Sequence, residues 1–174
     1  DMIVGSGGVL SHAPRRAESA YMMLDAYQPE GVTMLAVDSI FMMPQLGVLS
    51  SVLPEAASQV FERDCLVKLG SVIAPSGRMK EGDVACTVTI GSDTYEVPFG
   101  SLRLIPMGPD ETAAAVIKPA RKMDAGGGAG KEITREVEGG AVGVIIDCRG
   151  RPLSLPSSAA DRISKLKEWH EALG

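Results

Sequence analysis

Few residues in this chain are of types that do chemistry. The most suggestive group opens it: Gly5, Gly7, Gly8, Ser11 and His12 in "DMIVGSGGVLSHAPRRA", residues 1–17. An apolar run, Met2 to Val4, enters a glycine cluster, and a helix is expected to follow at once. Glycine lets a backbone lie close to a ligand, and a helix start offers free N–H groups and the positive end of its dipole. The spacing is not GxGxxG, because Leu10 stands where a third glycine should be. By spacing alone the turn either holds a nucleotide or is a tight strand-to-helix turn with no ligand. His12 could donate to a phosphate or a ribose, or be a surface residue of the first helical turn. Asp38 ends the apolar run "VTMLAVD", and ligands gather at the carboxyl ends of such strands. Its place before an apolar helix favours a helix-capping aspartate over a catalytic one.

Other candidates are weaker. "AGGGAGKE" is not a P-loop: counting back from Gly130–Lys131 puts Ala125 at the first glycine, and Glu132 stands where a hydroxyl should meet magnesium. It reads as a flexible hairpin loop, residues 124–130, flanked by the basic residues Lys118, Arg121, Lys122 and Lys131. That basic group could meet an acidic partner, although a solvated loop is the plainer reading. Asp147 ends "VGVIID" and is read as a turn residue. His170 lies in an amphipathic terminal helix and is expected to be solvated. Cys65, Cys86 and Cys148 have no CxxC spacing and fall on or beside expected strands, so they read as buried thiols. Two well-separated histidines argue against both a histidine metal site and a Ser–His–Asp or Cys–His set.

Composition narrows the classes further. Hydrophobic residues are 45% of 174, enough for a real core, but only 4% are aromatic, so that core rests on Val, Ile, Leu, Ala and Met. Met22, Met23, Met42 and Met43 are expected inside it. The net charge of −5 falls wholly on residues 1–64, and phosphate binding needs clustered cations, so nucleic acid is not expected as a partner. No uncharged run is long enough for a membrane span. The odd cysteine count fits a reducing compartment, hence a cytoplasmic protein.

The elements that must position these residues are legible in outline. A strand over residues 2–8 leads to a helix capped by Ser11, in which Ala17, Ala20, Tyr21, Leu24 and Tyr27 recur at helical spacing. Pro29 and Gly31 stop it. "VTMLAVD" is a buried, parallel-type strand, followed by a helix through "IFMMPQLGVLSSV" and another opening at Pro54. After about residue 65 short runs rich in Val, Ile and Thr predict a mostly antiparallel sandwich or barrel. "VACTVTI" and "TYEVPF", joined by "GSD", predict a hairpin. A final helix over 157–173, capped by Ser157 or Ser158, presents Ile163, Leu166, Trp169 and Leu173 as its apolar face. The expected division is thus 1–64, 65–156 and 157–174, an α+β chain.

Strand, Gly-Gly pair, short turn and helix together resemble the adenosine-binding element of the actin-like ATPase superfamily, which includes sugar kinases, heat-shock chaperones and actin. In those proteins the last strand and helix of the domain follow soon after. "GVTMLAVDS" and "PQLGVLSSV" occupy those places here, with Gly47 at the small-residue position. More specifically, "GSGGVLSHAPRRA", "LDAYQPEGVTMLAVDSIFMMPQLGVLS" and "VFERDCLVKLGSVIAPSG" look like the C-terminal part of the glutamate (methylaspartate) mutase accessory family, MutL or GlmL, unrelated to mismatch-repair MutL.

The resemblance implies a C-terminal α/β piece of an actin-like (ribonuclease H-like) ATPase domain, followed by the β-rich module and the terminal helix. It implies ATP as cofactor, an adenosylcobalamin-dependent mutase as partner, and a reactivating, chaperone-like role. Gly7 and Gly8 match the adenosine turn, with Ser11 and His12 as accompanying side-chain contacts. The phosphate hairpins and the acidic residues that handle magnesium and water would lie upstream of residue 1. The chain by itself is then expected not to hydrolyse ATP. Two other readings stay open: a non-enzymatic module that docks a partner through residues 65–174, and part of an actin-like metabolic kinase or ATPase.

Overall fold

A computed structural model describes residues 1–174. Its centre is a five-stranded mixed sheet in the order β1-β2-β3-β11-β7. β1 (Met2–Gly5) runs parallel to β2 (Gly31–Asp38), and β2 pairs antiparallel with β3 (Leu66–Ala74). On the far side of β3 come β11 (Val144–Asp147), parallel to it, and β7 (Leu102–Ile105), antiparallel to β11. A second, antiparallel sheet holds β10 (Ile133–Glu138), β8 (Thr112–Pro119), β5 (Val84–Ile90) and β6 (Asp93–Pro98) in that order. Two short strands, β4 (Ser76–Gly77) and β9 (Met123–Asp124), pair with each other.

Alternation along the central strands explains the layering, because successive side chains of a strand point to opposite faces. Ile73, Val144 and Ile146 pack with Ala85, Val88, Val97, Ile117 and Val137 of the second sheet. Their neighbours Val72 and Ile145 join Leu35, Val37 and Leu69 on the opposite face. There they meet Ala20, Met23 and Leu24 of α2 (Arg16–Tyr27), with Trp169 of α5 (Ala159–Glu171) and Leu173 just beyond it. The result is three layers: helices, mixed sheet, antiparallel sheet.

Several expectations change. The α+β class holds, but residues 65–156 do not form a sheet system of their own. β3, β7 and β11 extend the sheet begun by β1 and β2, and only β5, β6, β8 and β10 make the antiparallel layer. The continuous apolar runs of β3 and β11 suit strands covered on both faces. The expected hairpin is present, with Ile90 opposite Asp93 across Gly91–Ser92.

The terminal helix is capped by Ser158 and buries Trp169 and Leu173, but Ile163 is 56% exposed. Among the paired methionines, Met23 is fully buried while Met22, Met42 and Met43 are half-buried. The glycine loop does join a hairpin, β8 to β10. The Asp124 carboxylate gathers it by accepting the N–H groups of Gly126 (2.7 Å) and Gly128 (2.9 Å).

Candidate functional site

Because β1 and β2 are parallel, their carboxyl ends lie at the same edge of the sheet. This is where ligands bind in open α/β sheets. The chain leaves β1 at Gly5, turns through Ser6 and Gly7, and enters a single helical turn, α1 (Gly8–Ser11). The amides of Leu10 and Ser11 bond back to Gly7 O at 3.1 and 3.0 Å, and that of His12 to Gly8 O at 3.0 Å.

The three glycines are there for different reasons. A Cβ on Gly5 would lie 2.5 Å from Leu10 Cδ1 and 3.1 Å from the Met23 sulfur, so Gly5 serves helix-to-strand packing. Gly7 has φ 116 and ψ 155, backbone that side chains with a Cβ rarely adopt. Gly8 is under neither constraint: its φ is not positive, and a Cβ there would meet only His12 Cδ2, at 3.9 Å. The space above Gly7 and Gly8 is open.

Ser11 and His12 face opposite ways. Ser11 is buried, and its hydroxyl donates to the Asp38 backbone carbonyl at 2.6 Å, pinning α1 to the end of β2. It does not cap α2, which starts at Arg16 after a break and has no side-chain cap. Ser19 instead ties α2 back, donating to Leu10 O at 2.9 Å. His12 is exposed beside Gly8.

Asp38 is fully buried and is not itself the N-cap residue, which is Met42, but its carboxylate accepts the amides at the start of the next helix. Oδ1 accepts the Met42 N–H at 3.1 Å, and Oδ2 accepts the Met43 N–H at 2.8 Å. The Ser6 hydroxyl donates to Oδ2 at 3.2 Å, linking the glycine turn to the β2 end. Burial opposes ionisation of Asp38, but the bonds from Met43, Met42 and Ser6 outweigh it and hold its pKa below the ordinary carboxylate value. The turn so held leads into α3 (Met43–Leu49), with α4 (Pro54–Val60) and a π-helical turn (Phe61–Cys65) beyond. It keeps Phe41 at φ 58, uncommon for a bulky residue, and leaves that residue 47% exposed. Val9, Ile40, Val48, Val52 and Leu53 are also exposed.

A second cluster was not expected as such. Asp147 is no surface turn residue: it is fully buried at the end of β11. Arg149 binds it bidentately, Nε to Oδ1 at 3.0 Å and Nη2 to Oδ2 at 2.9 Å. Arg151 adds Nη2 to Oδ2 at 2.7 Å and gives its Nε–H to Pro29 O at 3.0 Å. Arg149 also reaches Asp25 of α2 at 2.7 Å and lies over the rings of Trp169 (5.0 Å) and Tyr21 (5.5 Å). Burial alone would raise the pKa of Asp147; Arg149 and Arg151 lower it below the ordinary value. The signal in the sequence was arginine two and four residues after an aspartate ending an apolar run. Its role here is to lock β11, α2 and α5 together.

The other candidates carry no reactive constellation. All three cysteines are buried and unpaired, and burial pushes the Cys86 thiol up to about 12 and those of Cys65 and Cys148 above the ordinary value. His170 is exposed, its ring edge-on to Tyr21 at 5.7 Å. Lys118, Arg121, Lys122 and Lys131 are exposed. No group of His, Cys, Asp and Glu is placed to hold a metal ion, and no helix is long and apolar enough to cross a membrane.

Fold and turn thus define an α+β protein with a glycine-lined strand-to-helix turn at the carboxyl ends of two parallel strands. Residues 1–65 match the family model described as MutL protein. That model is of the glutamate mutase accessory family, not the mismatch-repair family, and the match covers the segment that carries the glycine turn. Neither a curated protein nor a solved structure matches the chain.

Proposed function

We propose that this chain supplies the adenosine side of an ATP-binding accessory protein that reactivates an adenosylcobalamin-dependent mutase of the glutamate mutase type. The observation that carries the reading is Gly8. Nothing in the fold crowds it and its backbone needs no glycine, which supports a reading in which its missing side chain leaves room for a ligand against the turn. In this reading Gly7 sets the backbone course and Gly8 leaves room for the adenosine. Ser11 acts from within, holding α1 against β2, and His12 stands at the rim. The family match over residues 1–65 supports the mutase as partner. The actin-like character of the fold is part of the proposal. ATP state would shift the protein between conformations that grip the mutase differently.

The test is recovery of a glutamate mutase inactivated by damaged cobalamin, with the full-length accessory protein and free adenosylcobalamin. Recovery that requires ATP supports the reading; no recovery, with no capture of the mutase in a pull-down, removes it. A docking module without nucleotide chemistry is favoured by a different observation, the exposed Lys118, Arg121, Lys122 and Lys131 around an ordered loop. Capture of the mutase that is unaffected by nucleotide would select it.

A further inference from the structure

A pocket of about 480 Å³ opens away from the glycine turn, between α5, the chain after β11 and the segment entering β5. Its size suits a small molecule. The apolar lining comes from Met79, Phe99, Leu155 and Trp169. Three cations border it, and they differ in what they have left to give. Arg149 is saturated by Asp147 and Asp25. Lys165 is held by Glu81 at 2.8 Å and Glu168 at 3.1 Å. Arg78 is exposed and makes no ion pair or side-chain hydrogen bond, so its whole guanidinium fork is free.

We infer that this pocket binds a small molecule with an apolar, preferably aromatic, body and a single carboxylate, which Arg78 takes while the body lies against Met79, Phe99 and Leu155. A guanidinium fork matches a carboxylate bidentately. One free fork suits one negative charge. A phosphate dianion would need further donors, and the charge of Lys165 is already offset by Glu81 and Glu168. Glu81 also adds a negative charge at the rim, which penalises a doubly charged head. The Glu81–Lys165 pair bridges the segment before β5 to α5 and forms one wall of the site. This assignment is independent of the nucleotide reading.

Trp169 is the sole tryptophan and forms the buried floor of the pocket beneath Lys165, so its emission reports on changes in that wall. The probe is 3-phenylpropionate, with 3-phenylpropan-1-ol as the uncharged control, titrated into the intact chain. Saturable change is expected for the carboxylate with a Kd on the order of millimolar, as the size of the probe allows. The alcohol should bind about tenfold more weakly, and Arg78→Gln should reduce the carboxylate to the affinity of the alcohol. Because Arg78 is exposed and unpaired, that variant should keep the parent Tm. Any of three results overturns the assignment: no saturable response, equal affinity for acid and alcohol, or unchanged affinity in Arg78→Gln.

Discussion

Replacing Asp147 by alanine should be among the most damaging single changes in the molecule. The substitution removes both oxygens that Arg149 grips bidentately, the acceptor of Arg151 Nη2, and the acceptor of the Arg149 backbone N–H at 3.1 Å. The two guanidinium groups cannot move out to water, since their side chains are 0% and 1% exposed. Arg149 keeps Asp25, but Arg151 keeps only backbone carbonyls. Orphaning one member of a buried ion pair costs about 3–5 kcal/mol. Against a total stability on the order of 5–15 kcal/mol that is a large share. For a chain of this size it corresponds to a Tm lower by roughly 6–20 °C.

Urea and thermal unfolding followed by Trp169 emission measure the change in the layer that the cluster ties together. Combining Asp147→Ala with Arg149→Met and Arg151→Met should recover much of the loss, because a dry apolar replacement lacks the uncompensated charges. A loss below about 1 kcal/mol for the single variant would refute the reasoning, since that is the range of exposed ion pairs.

Three further outcomes follow from the same geometry. Gly5→Ala should lower stability by about 1–3 kcal/mol, through overpacking against Leu10 and Met23, whereas Gly8→Ala should leave the Tm nearly unchanged; paired thermal melts test both. Asp38 and Asp147 have folded pKa values below their ordinary 3.8, so their stabilisation is complete above that value and is lost as pH falls through the folded pKa; melts across the acid range should show it, with a shallower decline in Asp147→Asn. Cys65, Cys86 and Cys148 should resist thiol reagents at neutral pH until the chain unfolds, and fast labelling of the native protein would contradict their burial.

Local structure was largely legible in the residues; long-range pairing was not. The first strand, the helix after it, the buried β2, the β5–β6 hairpin and the terminal helix all follow from period and punctuation. Which strands share a sheet does not. β3 and β11 are parallel neighbours separated by some seventy residues, and nothing local marks them as partners of each other rather than of the strands in between. Ser11 shows a similar limit at the site. A serine before a proline-containing helix start reads as a cap. The helix breaks at His12–Arg15, however, and the hydroxyl turns to the carbonyl of a residue 27 positions away. Asp38 was legible because its capping partners are four and five residues on. Asp147 left only a faint local signal, the arginines two and four residues on, because what holds those arginines inward, Asp25 and the Pro29 carbonyl, belongs to a distant segment.

The measurement that bears most directly on the central claim is ATP affinity of the full-length protein against its Gly8→Trp variant, with the Tm of each recorded. A Cβ at Gly8 meets only the His12 edge, at 3.9 Å, so a side chain there should be tolerated by the fold and should project into the space assigned to adenosine. The account predicts an unchanged Tm and a loss of ATP affinity of tenfold or more, about 1.4 kcal/mol or above. Equal affinity in the two proteins would contradict it and leave the glycine turn as a structural feature alone.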